Sequence, residues 1–141
     1  GTMAKAKLKT QKTTGSAEGF LKKVADPVQR ADSLVVLAMM QKASKVEPKM
    51  WGPAIVGFGD KLLKYPSGRE LDWFDIGFSP RKGTLTLYGL KGAKQADTLL
   101  AKLGKHTAGG GCLYIKRLSD VDVGVLQKLI DGAVSPGAKK K

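Results

Sequence analysis

Hydrophobic positions recur with two different periods along this chain, and the switches between them divide it into three parts. The first part reads as helical, with a short helix from Ala17 to Ala25 and a longer one running from Asp26 to about Lys45. Asp26-Pro27-Val28-Gln29 is a start signal. Asp26 can cap free backbone N–H groups, Pro27 suits the first helical position, and Gln29 completes a capping-box-like spacing. Lys42 and Lys45 stand at the negative end of that helix, and Leu34–Met40 is apolar nearly all round, so cover on several sides is expected.

Glycine and proline then punctuate the chain at Trp51-Gly52-Pro53, Gly57-Phe58-Gly59, Pro66-Ser67-Gly68 and Pro80-Arg81-Lys82-Gly83. Between them lie strand candidates at Ala54–Phe58, Lys61–Tyr65, Leu71–Ser79 and Thr84–Tyr88, joined by turn-forming residues. This spacing predicts an antiparallel meander. In its third strand Phe74, Ile76 and Phe78 would share one face, with Trp73 and Asp75 on the other. Helical spacing returns at Ala96, Leu99, Leu100 and Leu103, stopped by Gly104. A glycine loop, Gly109-Gly110-Gly111, leads into a strand at Cys112–Lys116, and a last helix presents Val125, Leu126, Leu129, Ile130 and Ala133, with Ser119 placed to cap it. The predicted class is α+β in a single domain: N-terminal helices, a meander, then helix–strand–helix.

Composition fits that picture. The chain has 141 residues, 42% of them hydrophobic and 26% charged, which is globular rather than disordered. Its 25 Lys and Arg against 12 Asp and Glu give a net charge of +13, and that makes polyanions natural partners. The surplus is uneven. Residues 1–15 carry Lys5, Lys7, Lys9 and Lys12 without an acid, and residues 135–141 end in Lys139, Lys140 and Lys141, so residues 16–134 hold +6 of the +13. Both ends read as flexible basic tails around a folded 16–134 domain, with Gly1-Thr2 ahead of Met3 as an expression remnant. Such tails could hold a nucleic acid loosely or serve solubility alone. The one cysteine, Cys112, cannot close an intramolecular disulfide, which points to a reducing, cytoplasmic setting. The longest apolar run, seven residues, is far short of the roughly 18 of a membrane helix, so no membrane is expected as a partner.

The residues say more than their periodicity. Trp51-Gly52-Pro53 with Ile55-Val56-Gly57-Phe58-Gly59, Ser67-Gly68-Arg69-Glu70 with Asp72-Trp73, and Ile76-Gly77-Phe78-Ser79-Pro80-Arg81-Lys82 occur in order. Leu103-Gly104-Lys105-His106, Gly111-Cys112-Leu113-Tyr114-Ile115-Lys116-Arg117-Leu118 and Asp120-Val121-Asp122 follow. Over most of residues 20–134 this series resembles the YdhG-like domain family of small bacterial domains, largely of unknown function. The resemblance implies an α+β domain and, through members linked to iron handling, a frataxin-like iron chaperone. A strongly basic chain departs from that picture.

Iron handling needs loosely arranged carboxylates. Two groups qualify: Glu70, Asp72 and Asp75 around the third strand, and Asp120 with Asp122 before the last helix. Each also has an ordinary reading, ion pairing with Arg69, Arg81 or Lys82 for Glu70, and capping for the pair at the helix start. His106 and Cys112 are too few for a structural zinc and lack the third group of a nucleophilic pair. The glycine loops match no phosphate-binding fingerprint. A basic set remains, Arg69, Arg81, Lys82, Lys105, Lys116 and Arg117, with Trp51, Trp73, Tyr65 and Tyr88 as stacking surface or as packing.

Two functions are therefore expected of a non-enzymatic domain. One is small-ligand or metal handling, iron chaperoning by name, with iron or an iron-receiving protein as partner. The other is binding of an anionic partner such as nucleic acid or a phosphorylated ligand.

Overall fold

The computed structural model describes residues 16–134 together with the backbone of Lys12–Thr13. The remaining residues read as tails lie outside that range. Lys12–Thr13, inside the stretch read as the first tail, form a two-residue edge strand β1.

The helices are α1 (Ala17–Lys22), α2 (Pro27–Ser44), α3 (Ala96–Leu103) and α4 (Val123–Ala133). The further strands are β2 (Pro48–Trp51), β3 (Ile55–Phe58), β4 (Lys61–Lys64), β5 (Glu70–Trp73), β6 (Ile76–Arg81), β7 (Thr84–Tyr88), β8 (Thr107–Gly109) and β9 (Cys112–Ile115). Among the described residues seven of the nine strands build one antiparallel sheet in the order β1-β2-β3-β6-β7-β9-β8, and β4 and β5 form a separate hairpin inserted between β3 and β6. The fold is α+β, as the pattern predicts.

The register explains the layers. Met50, Val56, Phe58, Ile76, Phe78, Leu85, Leu87, Leu113 and Ile115 all point to one side and are buried with Val36, Met39 and Met40 of α2, Leu103 of α3 and Leu126, Leu129 and Ile130 of α4. Successive strand residues face opposite sides, so Trp51, Gly57, Gly77, Ser79, Arg81, Thr86, Tyr88, Cys112 and Tyr114 belong to the other face, away from the helices.

Four local expectations change. The strand read as Leu71–Ser79 is two strands in two sheets, broken at Phe74–Asp75. There the Asp75 N–H donates to the Phe58 carbonyl at 2.9 Å and the alternation resets. Phe74 consequently does not share the face of Ile76 and Phe78. It packs on the opposite side with Trp51, Trp73 and Tyr88, over Gly57 and Gly77, where an added Cβ would come within 2.8 Å and 3.0 Å of it respectively. Gln29 does not complete a capping box: Asp26 Oδ1 accepts from the N–H groups of Val28 and Gln29, while the Gln29 amide donates to the Arg81 carbonyl at 2.6 Å and ties α2 to β6. Ser119 lies in a short 3-10 turn, Leu118–Asp120, and Asp122 caps α4 by accepting from Val125 N–H at 3.1 Å. β2 and β8 were not foreseen, because Glu47-Pro48-Lys49 and Thr107-Ala108-Gly109 lack apolar alternation.

Candidate functional site

One half of the outer sheet face is covered. Trp73 and Phe74 stack at 4.6 Å between centroids, and Trp51 meets Phe74 edge-on at 5.6 Å, an arrangement aromatic rings favour. Trp51 is only 1% exposed, so this residue serves packing rather than a ligand surface, whereas Trp73 is half-buried. On the other half, along β9 and β8, the outer face is half-buried at Cys112 and Tyr114 and exposed at Thr107.

On that half Tyr114 sits between Thr86 of β7 and Thr107 of β8 in register. Cys112, two positions before it, and Tyr88 and Arg81 are its neighbours. Arg81 Nη2 donates to the Tyr88 hydroxyl at 3.3 Å. The Cys112 side chain beside it raises the Tyr114 phenol above its ordinary value of 10.0, desolvation and Tyr88 add to this, and the Arg81 guanidinium opposes it.

Next to Tyr114 lies a groove of about 330 Å³, lined by Thr84, Lys105, His106, Thr107, Tyr114, Lys116 and Asp120. Its walls come from separate parts of the chain, and the backbone shows why they meet. α3 ends at Gly104, whose φ of 113° and close approach to Asp120, 2.6 Å from an imagined Cβ to the carbonyl oxygen, suit glycine alone. From there Lys105 N–H donates to the Asp120 carbonyl at 3.1 Å and Asp122 N–H to the Leu103 carbonyl at 2.7 Å. On the far side of the turn, the Asp32 carboxylate of α2 accepts from Leu118 N–H at 3.0 Å. The loop at 104–106 and the turn at 118–122 are thus pinned to each other and to α2.

His106 is oriented as well. Its Nδ1 lies 2.7 Å from the Gly104 carbonyl, and a carbonyl only accepts, so Nδ1 carries the proton and Nε2 is the atom available to a ligand. The groove therefore combines two lysines, an imidazole, two threonine hydroxyls and one aromatic ring with a single carboxylate. Such a lining can hold an anion and pack a ring.

The anion-binding candidates divide. Lys105 and Lys116 enter this groove. Lys116 with Arg117 also lines a hollow of about 270 Å³ beside Gly83 and the start of α2. Arg81 sits by Tyr88, Lys82 is exposed in the β6–β7 turn, and Arg69 lies on the hairpin with its guanidinium 6.0 Å from the Tyr65 ring. The carboxylates are spread out. Glu70 and Asp72 are exposed on β5, opposite Lys64 and Leu62, Asp75 is buried, Asp122 is a helix cap and Asp120 lines the groove. Among the described residues no three His, Cys, Asp or Glu side chains form a group that could hold a metal ion.

Tyr114, Thr84 and Thr107 were not singled out from the sequence. Alternation from Cys112 does place Tyr114 and Lys116 on one face, but β8, which brings Thr107, gives no such signal. Among the described residues no helix is long and apolar enough to cross a membrane. Comparisons with protein-family models, with curated proteins and with solved structures found no match.

Proposed function

We propose that the protein is a non-enzymatic binding module for a small phosphorylated ligand that carries a ring, of the size of a nucleoside monophosphate. The observation that carries this reading is the groove that Lys105, His106, Lys116 and Tyr114 line together. Its volume, about 330 Å³, falls in the range of small-molecule sites. Lys105 and Lys116 supply point charges for phosphate oxygens, and the threonine hydroxyls and His106 Nε2 supply directed hydrogen bonds. Tyr114 offers a flat apolar surface to a ring. The net charge of +13 raises the local concentration of any anion. Six basic or hydroxyl side chains line this groove, whereas the carboxylates that iron handling would need are dispersed, so the anionic ligand is the reading favoured.

Amide NMR of the full chain tests it, with nucleoside monophosphates and inorganic phosphate as separate titrants. Saturable shifts at Thr84, Lys105–Thr107 and Tyr114–Lys116 are expected, stronger for the nucleotide than for phosphate. Shifts confined to the hairpin or to the tails, or none at millimolar nucleotide, would overturn the reading. A short single-stranded oligonucleotide that binds while mononucleotides do not would replace the small ligand by nucleic acid.

A further inference from the structure

The one acid in the groove has a feature that its neighbours do not explain. Asp120 is half-buried and lines the same cavity as Lys105, His106 and Lys116. Among the described residues its carboxylate forms no ion pair with any of them and no hydrogen bond. The backbone holds it there instead. Asp120 N–H donates to the Arg117 carbonyl at 3.0 Å, and its own carbonyl accepts from Lys105. The cap bond of α4 is made by Asp122 instead, so the Asp120 carboxylate is an acceptor that the groove can use.

Resting on the nucleotide reading above, we infer that Asp120 is a specificity-determining residue that selects guanine. An ionised carboxylate has two acceptor oxygens and no donor. Guanine presents two adjacent donors, the ring N1–H and the exocyclic N2 amino group, which match both oxygens at once. Adenine sets its amino group beside the N1 lone pair, cytosine sets its own beside N3, and uracil flanks its N3–H with two carbonyls. Each of those three turns at least one lone pair toward the carboxylate, and facing lone pairs repel where guanine would donate two hydrogen bonds. Guanine alone pairs without conflict. Tyr114 then packs against the ring while Lys105 and Lys116 take the phosphate.

Calorimetric titration of the full chain with GMP, AMP and XMP tests this, using wild type, Asp120→Asn and a Lys105→Ala/Lys116→Ala double variant. In wild type GMP binds at least about tenfold tighter than AMP, the scale of discrimination that a bidentate pair provides. Asp120→Asn turns one acceptor into a donor, so it abolishes that preference and gains affinity for XMP, whose C2 oxygen replaces guanine's amino group. A residue of purely structural importance would not exchange one base for another. Equal binding of GMP and AMP to wild type, lost in the double lysine variant, overturns the guanine assignment and leaves the phosphate site standing. A guanine preference unchanged in Asp120→Asn also overturns it. Absence of all three nucleotides from wild type overturns both.

Discussion

Gly104 approaches Asp120 so closely that a Cβ on the glycine would lie 2.6 Å from the aspartate carbonyl oxygen. This contact joins the end of α3 to the turn before α4 and brings Lys105, His106 and Asp120 into one groove. Gly104→Ala combines that clash with a φ of 113°, which side chains with a Cβ rarely adopt. A loss of about 1–3 kcal/mol is expected, read as a fall in Tm together with loss of nucleotide binding. Gly92→Ala is the control: its Cβ would meet nothing within 4 Å, so its Tm should stay near that of wild type.

Gly77 sits opposite Gly57 across β3 and β6, under Phe74. A Cβ there would lie 2.7 Å from the Val56 carbonyl oxygen and 3.0 Å from the Phe74 ring. The former neighbour is backbone and cannot yield cheaply. Gly77→Ala should therefore destabilise by about 1–3 kcal/mol in chemical denaturation, with the midpoint shifted to lower denaturant. An unchanged midpoint would contradict this close packing of Gly77 against Val56 and Phe74.

The Asp32 carboxylate holds Leu118 N–H across a long stretch of sequence. Asp32→Ala removes a charge-assisted bond and leaves the amide unpaired, so a loss of about 1–2 kcal/mol is expected. Hydrogen exchange separates this from a general effect. The Leu118 amide should exchange much faster in the variant, while amides in β6 and β7 keep their protection relative to the lowered global stability.

Tyr114 gives a pH prediction. Its phenol has a raised value in the folded protein, first because of Cys112 and then because of desolvation and Tyr88. The folded state thus holds the proton more tightly than the unfolded chain does, and the stability linked to it is present below the ordinary value of 10.0 and lost as pH rises through the folded one. Tyr114→Phe removes that component. Between pH 9 and 11 the Tm of wild type should fall more steeply than that of the variant, and parallel curves would contradict the assignment.

Much of this was legible in the residues, for reasons that can be named. Asp26-Pro27 announces α2 because a capping carboxylate and a proline both favour the start of a helix, and α3 ends at Gly104 because a φ of 113° favours glycine. The break at Phe74–Asp75 was not legible. Phe74, Ile76 and Phe78 alternate well enough to pass as one strand, and the decision between one sheet and two is made by distant contacts with Trp51, Gly57 and Phe58. The groove was legible in part. Lys105 and Lys116 stood out by charge, and Asp120 stood out as an acid, but its company with them depends on a strand of three small residues, β8, and on Gly104's close approach. Charge placement can nominate such residues; only the register assembles them.

The central claim is that Lys105 and Lys116 act together on an anionic ligand at Tyr114. Both lysines are exposed, so replacing them removes charge without disturbing the core. The most direct measurement is nucleoside-monophosphate affinity by calorimetry for wild type and Lys105→Ala/Lys116→Ala, each from about 50 to 200 mM salt. Wild-type binding that weakens with salt, and is lost at least about tenfold in the double variant with an unchanged Tm, is the predicted result. Equal affinity in the two proteins at every salt concentration would contradict it.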